Sequence, residues 1–376
     1  MIQFSLDLLT FWGIDSSLVS IVKCRILYQM LKNQADASSI LQVWFSSAWT
    51  SKAQLDFQNT VTNLMESYEI ETDVLKLLSY WKNSKIDDQA ATQSWSRTYL
   101  RDVLTYPFEA CTNLRNEHDR VDYARYLFTG VIFADEDEIK HGNVTMFSIP
   151  DSFIVTKVED ENFYHTFNFN HSEFEYEGSL MKSMEAFMIK KTKGLASLVS
   201  NGRVRMNFMT ARVGMKTESM KLFDRIKENN VRTIDWSNLC DYFSIQDFLK
   251  MAKAASSTNT VHYFHVMNWA QCYKGSSIFD YKRKMSLIKA AFKSYKLCHK
   301  DQISKSENYR KMWADELKFM NNVSVLDWSL TNECGDKYLN HFFGGKDVRF
   351  TRNIPIVEHW GFWRTAHVLS GKFAFV

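Results

Sequence analysis

The chain has 376 residues, 45% of them hydrophobic and 24% charged, with a formal net charge of +3. That is ordinary globular material, long enough for two domains or for one domain with large insertions. So small a positive surplus gives no case for nucleic acid or for an anionic membrane surface as partner. The aromatic share is high, with 28 Phe, 16 Tyr and 11 Trp, which reads first as an aromatic-rich core, with an aromatic binding groove as the alternative.

Six cysteines stand at Cys24, Cys111, Cys240, Cys272, Cys298 and Cys334. None forms a C-x-x-C pair, so no zinc site is legible, and scattered single thiols suit a reducing compartment. The opening MIQFSLDLLTFWGID is too short and too acidic for a signal peptide, and no stretch approaches the roughly 18 apolar residues of a membrane span. A cytoplasmic protein is expected, and the sequons at Asn143, Asn170 and Asn322 carry no weight.

Residues 1 to about 127 read as helical. Val19–Lys32 repeats apolar residues at Ile21, Val22, Ile26, Leu27, Met30 and Leu31, close to a 3.6 period. An apolar run follows at Ile40–Ala48. The helical pattern returns over Ser51–Ser67, Val74–Trp81, Gln93–Leu104 and Asp119–Phe128. No fixed spacing relates these helices, so no solenoid is expected. Gly13 stands alone, without a strand ahead of it.

From Gly130 the character changes to short β-rich runs at 144–150, 153–158 and 163–169. Leu180–Ser200 reads as a long amphipathic helix with Lys190, Lys191 and Lys193 on its polar face, stopped by Asn201-Gly202. Val204, Met206 and Phe208 then alternate with Arg203, Arg205 and Asn207, as a half-buried strand would. Helices over Ser219–Glu228, Tyr281–Leu297 and Tyr309–Phe319 are expected, and β-rich pieces at Val348–Thr351, Ala366–Leu369 and Lys372–Val376. Alternating helix and strand argues an α/β class. The expected division is a helical N-terminal region over 1–129 and an α/β domain over 130–376.

The most informative stretch is Asn230–Ala270. Val231, Thr233 and Ile234 form a short β-prone run. Asp235-Trp236-Ser237-Asn238 breaks it with turn formers, and Ser244 is placed to cap a helix through Phe248, Leu249, Met251 and Ala252. A second β-rich run covers Thr260–Met267. Two strands joined by a helix predict a parallel pair, with ligands expected at the carboxyl ends of the strands. Asp235, Ser237, Asn238 and Asp241 fall at that end of the first strand. They read either as a ligand-facing loop or as an Asx-type turn that leads into the next helix.

Other chemistry is thin. There is no G-x-G-x-x-G, no phosphate-binding G-x-x-x-x-G-K-[ST] and no G-x-S-x-G. His262 and His265 would face opposite sides of one strand and share no metal. Cys240 has no legible base beside it, and His299, His341, His359 and His367 have no legible partners. No metal ligand set and no cofactor site is expected.

The run T-I-D-W-S-N-L-C-D-Y-F (233–243), with F-L-K-M-A (248–252) and N-T-V-H-Y-F-H-V-M-N-W (259–269), resembles an uncharacterised family often fused to a MYND-type zinc finger. C-R-I-L-Y-Q-M-L (24–31), I-L-Q-V-W-F-S-S-A-W (40–49), A-R-Y-L-F-T-G (124–130), G-N-V-T-M-F (142–147) and G-S-S-I-F-D-Y (275–281) agree with it. The resemblance covers most of residues 20–345, and its N-terminal part is similar to the domain shared with dynein axonemal assembly factors. It implies a degenerate Rossmann-like, methyltransferase-like sheet, with Asp235, Ser237, Asn238, Leu239 and Asp241 matching the loop after a central strand. The glycine-rich turn that grips S-adenosylmethionine and the MYND cysteines are both absent. The expectation is a non-catalytic protein-binding scaffold or assembly factor with a protein partner. The alternative is an S-adenosylmethionine-dependent methyltransferase with a non-standard pocket around Asp235–Asp241. Trp44, Trp49 and Trp81 would serve as anchors for a partner if exposed.

Overall fold

The computed structural model describes residues 8–66, 70–103, 121, 125–126, 129–132, 138–149, 152–155, 180–266, 337–344, 347–353 and 369–376. They form a mixed α/β structure that divides into two compact units, Met1–Val213 and Gly214–Val376. The helices expected over 281–297 and 309–319 and the strand expected over 163–169 lie outside the described residues.

The first unit begins with a strand, β1 (Leu9–Asp15), which corrects the wholly helical reading of this end. Its residues are aromatic or β-branched around Gly13, and it pairs in parallel with β6 (Val204–Thr210), from Leu9 opposite Val204 to Asp15 opposite Thr210. The pairing partner lies so far along the chain that no local pattern announces it. Gly13 is therefore an interior strand residue. A Cβ there would stand 2.8 Å from the Phe208 ring.

Helix α1 (Leu18–Lys32) follows at once. Ser17 caps it by accepting from the Ser20 N–H, and Ile21, Val22, Ile26, Leu27, Met30 and Leu31 are buried, as their spacing predicts. α2 (Ala37–Phe45) takes the apolar run and leads into the short strand β2 (Ala48–Thr50). α3 (Ser51–Met65), α4 (Thr72–Asn83) and α5 (Asp88–Val103) complete the helical part. β3 (Ile139–Gly142) pairs antiparallel with β2, and β4 (Phe147–Ile149) with β5 (Ser152–Val155). α6 (Leu180–Ser200) ends where Asn201-Gly202 predicts, with Gly202 at φ +68. The core joins α1, α2, α3, α4 and α6 around Ile26, Ile40, Trp49, Phe57, Trp81 and Val199. Each such side chain contributes roughly 1.5–3 kcal/mol on removal from water. Trp49 and Trp81 are 0% and 1% exposed, so they are core residues and not partner anchors; Trp44 alone of the three is exposed, at 39%.

The second unit contains α7 (Thr217–Glu228), β7 (Thr233–Asp235), α8 (Ile245–Ala255), β8 (Val261–Val266), β9 (Val348–Asn353) and β10 (Leu369–Phe375). β7 and β8 are parallel and joined through α8, as predicted. Ser244 caps α8 by accepting from the Asp247 N–H. The sheet order is β7-β8-β10-β9, and β10 runs antiparallel to both of its neighbours. Of the β-rich pieces expected at the C-terminus, Lys372–Val376 falls largely in β10 and most of 366–369 lies outside the described residues; at Gly371 a Cβ would press on the Thr351 carbonyl and the Phe264 ring. Phe248, Phe264, Phe343 and Phe373 pack beneath the sheet. No helix among the described residues is long and apolar enough to cross a membrane.

Candidate functional site

The candidate loop leaves the carboxyl end of β7 and returns along β8. Asp235 closes β7, and its Oδ1 accepts from the Ser237 N–H at 2.8 Å, an Asx turn. Ser237 sits at φ +50, in the left-handed region that asparagine, aspartate and glycine enter more easily than serine. That turn aims the Ser237 carbonyl at β8, where it accepts from the His265 N–H at 2.7 Å. The Trp236 N–H donates to the Tyr263 carbonyl at 2.9 Å, so the loop continues the β7–β8 ladder past the end of the strand.

A 3-10 turn over Leu239–Asp241 follows. Asn238 is half-buried, and its Nδ2 donates to the Tyr242 hydroxyl at 3.4 Å. Asp241 is half-buried as well, whereas Asp235 and Ser237 are exposed. The four residues thus share one short loop, and the Asp235 carboxylate turns back into its own backbone. Cys240 is buried, with its Sγ donating to the His265 carbonyl at 2.7 Å. Burial, and behind it the charge of Asp241, pushes its thiol up to about 12. Such a group is no thiolate near neutral pH.

Beneath the loop lies a cluster that no local sequence pattern announces. Trp236 Nε1 donates to His262 Nδ1 at 2.9 Å. An indole nitrogen only donates, so Nδ1 accepts and the proton of the neutral imidazole is on Nε2. Nε2 then donates to Ser256 Oγ at 2.8 Å, and Ser256 donates to the Ala252 carbonyl at 2.6 Å. His262 is 0% exposed, stacked on Phe373 with centroids 4.8 Å apart. Burial pushes it down to about 4. His265 lies on the other face of β8, half-buried, as strand alternation requires. The cluster escaped sequence reading because it needs the register that sets Ile234 opposite His262.

The chain matches no protein-family model, no curated protein and no solved structure. The site therefore has to be read from its own chemistry. Its buried titratable groups are neutral and spent on packing, and among the described residues no group of His, Cys, Asp or Glu is placed to hold a metal ion.

The first unit has a second polar centre, built on Asn143. This side chain is 0% exposed. Its Nδ2 donates to the carbonyls of Val43 and Ser46 at 3.2 and 2.6 Å, and its Oδ1 accepts from the Thr145 N–H and hydroxyl at 2.9 and 2.7 Å. Its own N–H donates to Ser47 O, and the Ser47 N–H to Gly130 O, both at 2.8 Å. Every polar atom of the Asn143 side chain is satisfied within the protein, so this centre clamps chain segments and offers nothing to a ligand.

Proposed function

We propose that this chain is a non-catalytic, protein-binding scaffold or assembly factor, built on a degenerate methyltransferase-like α/β core and acting in the cytoplasm. The observation that carries the reading is shared by two strand-to-helix connections. After β1, Asp15 Oδ1 accepts from the Ser17 N–H at 2.8 Å; after β7, Asp235 Oδ1 accepts from the Ser237 N–H at 2.8 Å. At the place where a nucleotide-like cofactor needs bare glycine backbone and free N–H donors, both turns carry side chains and spend donors on themselves. Gly13, the one glycine near the first turn, is occupied by the Phe208 ring.

The mixed sheet supports the fold half of the reading. Parallel β7 and β8 with a reversed strand beside them are compatible with a doubly wound ancestor. Function does not follow from fold alone; the two turns carry it, and the buried Cys240 and His262, neutral near pH 7, support it. One feature favours the alternative, a methyltransferase with a non-standard pocket: Asp235 is exposed at the carboxyl end of a parallel strand.

Calorimetric titration with S-adenosylmethionine and its demethylated product separates the two. The scaffold reading expects no heat and no thermal shift at millimolar ligand. Micromolar binding that Asp235→Ala abolishes would instead establish the enzyme reading, since ligand at a hundredfold excess over Kd stabilises by about 2.7 kcal/mol. Affinity capture followed by reconstitution with the purified candidate then identifies the protein partner.

A further inference from the structure

The β1–β6 ribbon has two outer edges, and the chain treats them differently. The Leu9 N–H donates to Arg203 O at 2.9 Å, and the Ala211 N–H donates to Asp15 O at 2.8 Å. Ladder bonds alternate along a strand, so Leu9, Phe11, Gly13 and Asp15 direct their backbone groups at β6. The N–H and C=O groups of Thr10, Trp12 and Ile14 point the other way. On β6 the same alternation turns Met206 and Phe208 outward. There Arg25 donates to the Phe208 carbonyl at 3.2 Å while Glu71 holds its guanidinium with both carboxylate oxygens. A fixed cation thus plugs the outer edge of β6, a common protection against unwanted pairing.

Among the described residues, the outer edge of β1 has no such plug. Among the described residues, nothing bonds the backbone of Thr10, Trp12 or Ile14. Along it Leu9, Phe11 and Trp12 are 54%, 52% and 42% exposed. Leu9–Ile14 carries no charge and no proline. An uncharged, aromatic, unprotected edge is a template for another strand.

We propose that β1 pairs antiparallel with β1 of a second copy, centred on Trp12, joining two ribbons into one continuous sheet across a twofold axis. This strand is complementary to itself in that register. Trp12 exchanges both backbone bonds with its mate, and Thr10 does so with Ile14 of the second copy. Phe11 falls opposite Gly13, on the face where the Phe208 ring already lies against that glycine, and the two indoles pair on the other face. Asp15, the only charge in the strand, lies opposite Leu9. The two Asp15 carboxylates are then about 20 Å apart, beyond the screening length at physiological salt. Centring the pair on Ile14 instead would bring them to about 10 Å or less. Such a dimer is isologous and closes on itself.

Light scattering on the eluting full-length chain, with sedimentation at 1–100 µM, tests this. The wild type is expected to be a dimer. Thr10→Pro removes an outward N–H without touching the β6 ladder and is expected to weaken association at least tenfold, with an unchanged circular dichroism spectrum. Trp12→Cys is expected to cross-link two copies on mild oxidation, because a bonded antiparallel pair spaces its Cα atoms about 5.5 Å apart, within disulfide reach. Thr10→Cys, four residues from its mate in this register, is expected not to. A wild type that stays monomeric at 100 µM overturns the proposal and leaves the edge to a strand from another protein. So does a dimer that Thr10→Pro leaves intact, or equal cross-linking of the two cysteine variants.

Discussion

Acidification should loosen the second unit through one residue, His262. The ring is buried and its Nδ1 accepts the Trp236 indole N–H. A proton arriving at Nδ1 would set two N–H groups against each other across 2.9 Å. The folded-state value is depressed, to about 4 from 6.5, so the sign is fixed: stability is fully present above about 6.5 and is lost as pH falls toward about 4. Over that window the unfolded chain binds a proton that the folded chain refuses. At 1.36 kcal/mol per unit, the 2.5-unit difference is worth about 3 kcal/mol in full, and about 2 kcal/mol is already lost at pH 5. His262→Gln is the reference variant, because an amide offers the same acceptor to Trp236 and the same donor to Ser256 yet does not titrate. Urea denaturation of both proteins at pH 7 and pH 5, followed by hydrogen exchange of the 261–266 amides, isolates the difference. The wild type should lose about 2 kcal/mol more than the variant between those pH values. Equal losses, or a His262 ring signal in NMR that titrates near 6.5, would refute the argument.

Other consequences are read from single side chains. Asn143→Ala strands two buried carbonyls and a buried N–H; at about 1–3 kcal/mol for each unmet group, thermal unfolding should show a loss of about 3 kcal/mol or more. Gly130→Ala and Gly202→Ala both place alanine at φ +68, but at Gly130 a Cβ runs into the Trp95 ring and at Gly202 it meets open space. The first should cost well over about 3 kcal/mol and the second about 1–2 kcal/mol in denaturation midpoints. In the folded protein at pH 8, Cys24 should react with a thiol reagent before Cys240, because Cys24 is half-exposed and Cys240 is buried with its thiol pushed up to about 12. Mass mapping of early adducts at Cys240 would contradict that.

The helices were legible because each carries a local period. The buried apolar residues of α1 are the ones its spacing picks out, and the end of α6 follows from the Asn201-Gly202 stop. The parallel β7–β8 pair was legible for the same reason, since Ser244 and the β-rich runs on either side of α8 are short-range signals. β1 was not. Seven residues beside a long helix carry too little pattern to separate strand from helix, and what fixes them is pairing with β6. The Trp236–His262–Ser256 chain failed to appear for a related reason. Its members are individually common core residues, and only strand register makes their nitrogens and oxygens meet.

Separate segments of the first unit meet at one buried polar centre. Val43–Ser47, Thr129–Gly130 and Gly142–Met146 converge on Asn143: Val43 and Ser46 supply its acceptors, Ser47 bonds both Asn143 and Gly130, and Ser47 Oγ donates to the Thr129 carbonyl. Ser46 Oγ in turn donates to Ala48 O at 2.6 Å and accepts from the Ile132 N–H at 3.3 Å. A buried network of this kind tolerates few alternatives, because each replacement strands a partner in a dry interior. The same holds for 233–243, whose Asp, Trp, Ser and Cys are engaged with their own backbone or with β8. Motifs of this type therefore transmit architecture. They clamp strands to helices. The surface that stays open is therefore the outer edge of β1, unbonded among the described residues, and not the loop after β7, whose polar groups are engaged.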